Sequence, residues 1–180
     1  QPGSGFAQMF SADGQVSSLL FKHFIVDFNW SRQEITLHQP DSFIPPTSHQ
    51  MVAMQPIDSD SYALSLSIEI NPDSVITQDF MIDLGYTRPL SLCCENLDIM
   101  AANIQEDVTG YGVQGEIHGK ALTAKLREWN GQSNQEVSIV LHKPSSGKHS
   151  KIGFPLLSQQ NIIFDYFHKR VYLYSSYSDQ

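Results

Sequence analysis

Leu156-Leu157, then Ile162-Ile163-Phe164-Asp165-Tyr166, a polar turn, and Val171-Tyr172-Leu173 form the stretch that decides the fold. Two apolar residues lead through a short helical turn into a β-branched and aromatic run that ends on Asp-aromatic. After a polar turn, a second β-run closes the unit, which is the pattern of a hairpin. The same order stands earlier in the chain as Leu20-Phe21, Phe28-Asn29-Trp30 and Ile35-Thr36-Leu37. The two copies keep register without a gap at a constant offset of about 136 residues, the size of a small single-core unit. A tandem organisation follows as an expectation. Residues 1–39 read as the tail of a preceding homologous half, and residues 40–180 as one full half.

Outward from that stretch, strand signals dominate: residues 24–30, 34–38, 62–70, 79–83, 115–129, 136–142, 161–166 and 170–174 are short runs rich in β-branched and aromatic side chains. Leu64, Leu66, Ile68 and Ile70 alternate with Ser65, Ser67 and Glu69, so one face of that strand is apolar. Asn71-Pro72-Asp73, Asn130-Gly131 and Lys143-Pro144-Ser145-Ser146-Gly147 punctuate the runs as turns. Residues 91–104 carry the one helical pattern, with Leu92, Leu97, Ile99 and Met100 spaced for one face. A shorter helical turn is expected from Pro155 to Gln160, with proline early. The class is all-β with one principal short helix.

The chain has 180 residues and a net charge of −8, and 17% of its residues are charged. Its 41% apolar content is enough for a core, and no apolar run reaches the roughly 20 residues that a membrane-spanning helix needs. The 11 Lys and Arg are scattered singly, so no basic stripe is available to neutralise phosphates, and nucleic acid is not an expected partner. Cys93 and Cys94 are adjacent and cannot staple distant segments. The seven histidines show neither an i, i+4 pair nor a His-Glu-x-x-His pattern, so no metal is expected. No basic-then-apolar signal peptide is visible at the start.

Met81-Ile82-Asp83-Leu84-Gly85 is an apolar strand running into Asp and then Gly. A carboxylate at the end of a buried strand, with glycine to let the backbone turn, is a way to present an acid at the floor of a cleft. Downstream come a Gly-rich hairpin, Thr109-Gly110-Tyr111-Gly112 to Gly119, then Ile152-Gly153, Leu156-Leu157 and the closing hairpin.

In that order of segments the sequence resembles the retropepsin-like aspartic proteases, especially bacterial proteins built as tandem halves. The resemblance covers residues 42–174 as a full half and 16–37 as the tail of another. It implies an acid-protease half-barrel with Asp83 as the catalytic residue. Leu84, Gly85, Tyr86, Ile152 and Gly153 would support the motif, and Gly110, Tyr111 and Gly112 would form a flap over a peptide or protein substrate. It implies no cofactor. It also implies a second protease half, either in a homodimer or as the N-terminal half, since two aspartates must share one proton to activate water. By family habit the protein would be periplasmic or otherwise exported. Three positions depart from the family pattern: Leu84 stands where a hydroxyl residue belongs, Tyr86 where a small one belongs, and Lys151 where the residue before Ile152 should be apolar. The leading expectation is an aspartic endopeptidase half with Asp83 as one member of a carboxylate dyad; the alternative is a catalytically inactive protease-fold domain with a peptide-binding or structural role. A β-rich binding module of other ancestry is a further alternative.

Overall fold

A computed structural model describes residues 19–96, 101–112, 115–129, 131–144 and 148–175. In chain order the elements are α1 (Leu19–His23), β1 (Ile25–Asn29), β2 (Glu34–His38), a 3-10 turn (Pro40–Ser42), β3 (Gln50–Pro56), β4 (Tyr62–Asn71), β5 (Ser74–Asp83), β6 (Leu90–Cys93), β7 (Asp107–Gly112), β8 (Gly115–Trp129), β9 (Gln132–His142), β10 (Lys151–Gly153), α2 (Phe154–Leu157), β11 (Asn161–Asp165) and β12 (Arg170–Tyr174).

The hairpins form where the turn chemistry demands them. Between β4 and β5, Pro72 fixes φ and the Asp73 N–H donates to the Asn71 side chain at 3.2 Å. Between β8 and β9, Gly131 takes φ of 68°, where a side chain would be strained. The strands run in the order β2-β1-β11-β12-β3-β4-β5-β10-β6-β9-β8-β7, and a further β4–β8 pairing joins Ile68 to Leu126. That pairing closes β4, β5, β10, β6, β9 and β8 into a barrel, which removes two sheet edges that would otherwise seek partners. Inside, Leu64, Leu66, Ile68, Phe80, Leu90, Leu126, Ile139 and Ile152 pack as the core. The alternation read along residues 64–68 is the one that faces it. The all-β class is therefore observed.

The principal helix expected over residues 91–104 is not what the described part of that stretch forms. Leu90–Cys93 is a strand, parallel to β9 and antiparallel to β10, and residues 101–103 make a turn. Residues 97–100 lie outside the described ones. Leu90, Ser91 and Leu92 are all buried, at 2% exposure or less. A strand covered on both faces reads as a continuous apolar run, which periodicity cannot separate from a piece of helix. The second helical expectation is met by α2, with Pro155 in its first turn.

The two copies of the repeat become the paired hairpins β1–β2 and β11–β12. In the first, Val26 faces Leu37 and Phe28 faces Ile35; in the second, the counterparts Ile162 and Phe164 face Leu173 and Val171. Gln33 and its counterpart Lys169 are both left-handed, at φ of 57° and 55°. The Arg32 N–H donates to Asn29 Oδ1 at 3.1 Å, and the counterpart His168 N–H donates to Asp165 Oδ1 at 3.0 Å. The hairpins then pair with each other through β1 and β11, with Val26 opposite Phe164, Asp27 opposite Ile163 and Phe28 opposite Ile162. Exchanging each residue for its counterpart maps this pairing onto itself. A local two-fold axis thus passes through the Asp27–Ile163 pair. On it, Tyr174 Oη donates to Asp27 Oδ1 at 2.7 Å, while His38, the counterpart of Tyr174, reaches Asp27 Oδ2 at 3.7 Å.

Candidate functional site

β5 delivers Asp83 to its end because it is locked between two neighbours. β4 lies antiparallel on one side, and β10 lies parallel on the other, with Lys151 beside Met81, Ile152 beside Ile82 and Gly153 beside Asp83. The chain then turns. The Gly85 N–H donates to Asp83 Oδ1 at 3.0 Å and the Tyr86 N–H to the Asp83 carbonyl at 3.0 Å. A side chain at Gly85 would bring its Cβ to 3.3 Å from that same carboxylate oxygen, so glycine keeps the acid closely cradled.

Gly153 is the tightest point of the site. A Cβ there would lie 2.1 Å from the Arg88 carbonyl oxygen and 2.6 Å from that of Tyr86. The bare backbone allows the loop after β5 to cross over β10, held by Gly153 N–H to Pro89 O at 2.9 Å and Phe154 N–H to Tyr86 O at 3.0 Å. Five residues singled out in the sequence, Asp83, Gly85, Tyr86, Ile152 and Gly153, are thus brought together. Ile152 is fully buried beneath them, and Leu84 packs against the core. Gly110, Tyr111 and Gly112 fall on β7, which among the described residues pairs only with β8. The Gly-rich hairpin therefore exists.

Lys151, which stood in the sequence only as a charge where an apolar residue was expected, is the side chain that meets Asp83. Its ammonium donates to Asp83 Oδ2 at 2.8 Å and stands 5.6 Å from the centre of the Tyr86 ring. The signal lay in the strand period. Lys151 is two residues before Gly153, so on a strand paired in register with β5 it shares the face of Asp83. What the sequence did not show is that β10 runs parallel beside β5. Both oxygens of Asp83 are therefore bonded to N–H donors of this chain. The Tyr86 phenol is pushed above its ordinary value, chiefly by burial, and so stays neutral at the site.

Neighbouring groups offer little chemistry. Burial raises both the Cys93 and Cys94 thiols, which keeps them protonated and poorly nucleophilic. Burial lowers His142 and keeps it neutral. Among the described residues no group of three or more His, Cys, Asp or Glu could hold a metal ion. No helix among them is long and apolar enough to cross a membrane.

A retropepsin-like aspartic protease from Rickettsia conorii has a solved structure similar to this chain, covering 70% of this chain and 89% of that one, at 14% identity and a TM-score of 0.48. No protein-family model matches the chain, and no curated protein does.

Proposed function

We propose that residues 40–175 form an aspartic-protease-like half that is catalytically silent and serves a structural role in a two-unit assembly, with β1–β2 as the closing hairpin of the other unit. The observation that carries the silent reading is the Lys151–Asp83 ion pair. A catalytic pair of aspartates works because two like charges brought close cannot both ionise and must share a proton. Here a lysine of the same chain supplies the positive charge that the shared proton would otherwise provide. Leu84 adds no hydroxyl to tie two halves at that point, and Tyr86 fills space beside the acid.

The test is hydrolysis of an unfolded protein between about pH 3 and pH 6 by the wild-type chain and by Asp83→Asn, with Lys151→Met in parallel. Wild type and Asp83→Asn should be indistinguishable from background. A wild-type rate about tenfold or more above that of Asp83→Asn would overturn the silent reading.

One observation favours an endopeptidase instead. The Gly85 N–H bond to Asp83 is the cradle a working aspartate would need, and it is intact. On that reading Lys151→Met would raise activity by exposing the carboxylate to a second acid.

A further inference from the structure

In the β11–β12 hairpin, the outer strand β12 is covered by β3, with Val52 opposite Val171 and Gln50 opposite Leu173. Val171 and Leu173 are accordingly buried, at 0% and 2% exposure. Their counterparts on β2, Ile35 and Leu37, are 60% and 44% exposed, and β2 is the end of the sheet among the described residues. The two outer strands have the same register and the same apolar alternation, but among the described residues only β12 has a strand along its outer edge.

The same asymmetry recurs at the hairpin ends. Around Tyr166 and Phe167 the β3–β4 loop comes in beside Lys22: Asp60 forms an ion pair with Lys22, and the Tyr62 ring lies 4.4 Å from that of Tyr166. These residues border a small cavity of about 170 Å³. Their counterparts Trp30, Ser31 and Ser158 border, with Gln159, Gln160 and Asn161, a cavity of about 390 Å³. Among the described residues no loop fills the place that the Asp60–Tyr62 segment takes on the other side. Three of the residues around it carry buried N–H donors with no hydrogen-bond partner: Trp30 Nε1, Gln160 Nε2 and Asn161 Nδ2. Buried donors left unpaired cost free energy, so they mark a place where acceptors belong.

We infer that the β2 edge and the Trp30 cavity together form a docking surface for a second β-unit of this architecture that lacks a closing hairpin of its own, whose place β1–β2 takes. That unit lays a β3-like strand antiparallel along β2 and inserts its β3–β4-like loop, carrying oxygen acceptors, beside Trp30, Gln160 and Asn161. The occupant is a homologous unit rather than an identical copy of this chain. In an identical copy β3 is already paired on both edges, by β12 and β4, and β11 is already paired by its own β1. The inference rests on the two-unit part of the proposed function and is independent of whether Asp83 is silent.

The surface can be probed with a synthetic peptide of residues 48–62, which carries β3 and the loop that follows it. By the β12–β3 register, its Val52 should stand opposite Ile35 and its Gln50 opposite Leu37. Added to the whole chain, the peptide should bind saturably and slow amide exchange of residues 34–37 about tenfold or more. It should also change the emission of Trp30, since the other tryptophan, Trp129, is only 4% exposed. The double variant Ile35→Lys, Leu37→Lys should weaken binding by about tenfold or more, and so should a peptide carrying Val52→Lys. Both changes sit on exposed or peptide positions, so neither threatens the fold. No protection of residues 34–37 at saturating peptide, or equal binding by the double variant, overturns the inference. Hydrolysis by wild type but not by Asp83→Asn would sink the silent-half reading and leave this result standing.

Discussion

The hairpins β1–β2 and β11–β12 share register, turn geometry and a side chain-to-backbone bond across the turn, yet they sit in different surroundings. β12 lies between β11 and β3, and its Val171 and Leu173 enter the core. β2 has β1 on one side and exposes Ile35 and Leu37. Local sequence is enough to set the shape of a hairpin, because turn chemistry and strand period act over a few residues. Burial is decided by what the rest of the molecule places against it.

The largest expected difference follows from that contrast. Leu173→Ala should destabilise the chain by about 3 kcal/mol, from lost transfer free energy and the cavity left behind. Leu37→Ala, at the counterpart position, should cost less than about 0.5 kcal/mol, because its side chain already meets water. Urea denaturation of the two variants measures both. Equal losses would mean that β2 is covered in solution and that the two hairpins are not in different environments.

How much of this was legible follows the same division. The repeat, the paired turns and the alternation over residues 64–68 were readable because each is a local pattern. The helix expected over 91–104 failed at Leu90–Cys93, where burial on both faces hides the period of a strand. Asp83 and Gly85 were legible as an acid and a turn glycine at the end of an apolar strand, and Gly153 only through the family resemblance; its tight packing came with the fold. Lys151 was visible only as an unexpected charge next to Ile152, since its contact with Asp83 depends on the parallel β5–β10 pairing between residues far apart in sequence. The unpaired donors around Trp30 could not be foreseen, because nothing local distinguishes a satisfied Asn or Gln from an orphaned one.

A second contrast separates the aromatic residues that follow β1 and β11. Burial, with the nearby Tyr62 adding to it, pushes the Tyr166 phenol up to about 12. Its counterpart Trp30 does not titrate. A tyrosine whose folded value lies above its unfolded value, near 10, gives stability that is fully present below about pH 10 and fades as pH rises through the folded value. Tyr166→Phe should therefore flatten the loss of stability between about pH 10 and pH 12 by about 1 kcal/mol, while Trp30→Phe should leave the slope unchanged. Denaturation midpoints across that range provide the check. An unchanged slope for Tyr166→Phe would show that water reaches the phenol freely and that the Tyr62–Tyr166 packing is loose.

The smallest effect tests the feature the hairpins hold in common. Gln33 and Lys169 both adopt φ near +55°, where a Cβ crowds the following carbonyl at a cost of about 1 kcal/mol. Glycine removes that crowding but has more freedom to lose on folding, which offsets roughly half of the gain. Gln33→Gly and Lys169→Gly should each stabilise the chain by about 0.5 kcal/mol, or about 1–2 °C in Tm for a domain of this size. The turn strain is set by the backbone of each hairpin and not by what covers its strands, so the two gains should agree to within about 0.3 kcal/mol. If Lys169→Gly gained and Gln33→Gly did not, the first turn would be free to relax in solution. The shared register would then owe its hold in β1–β2 to the pairing with β11 alone.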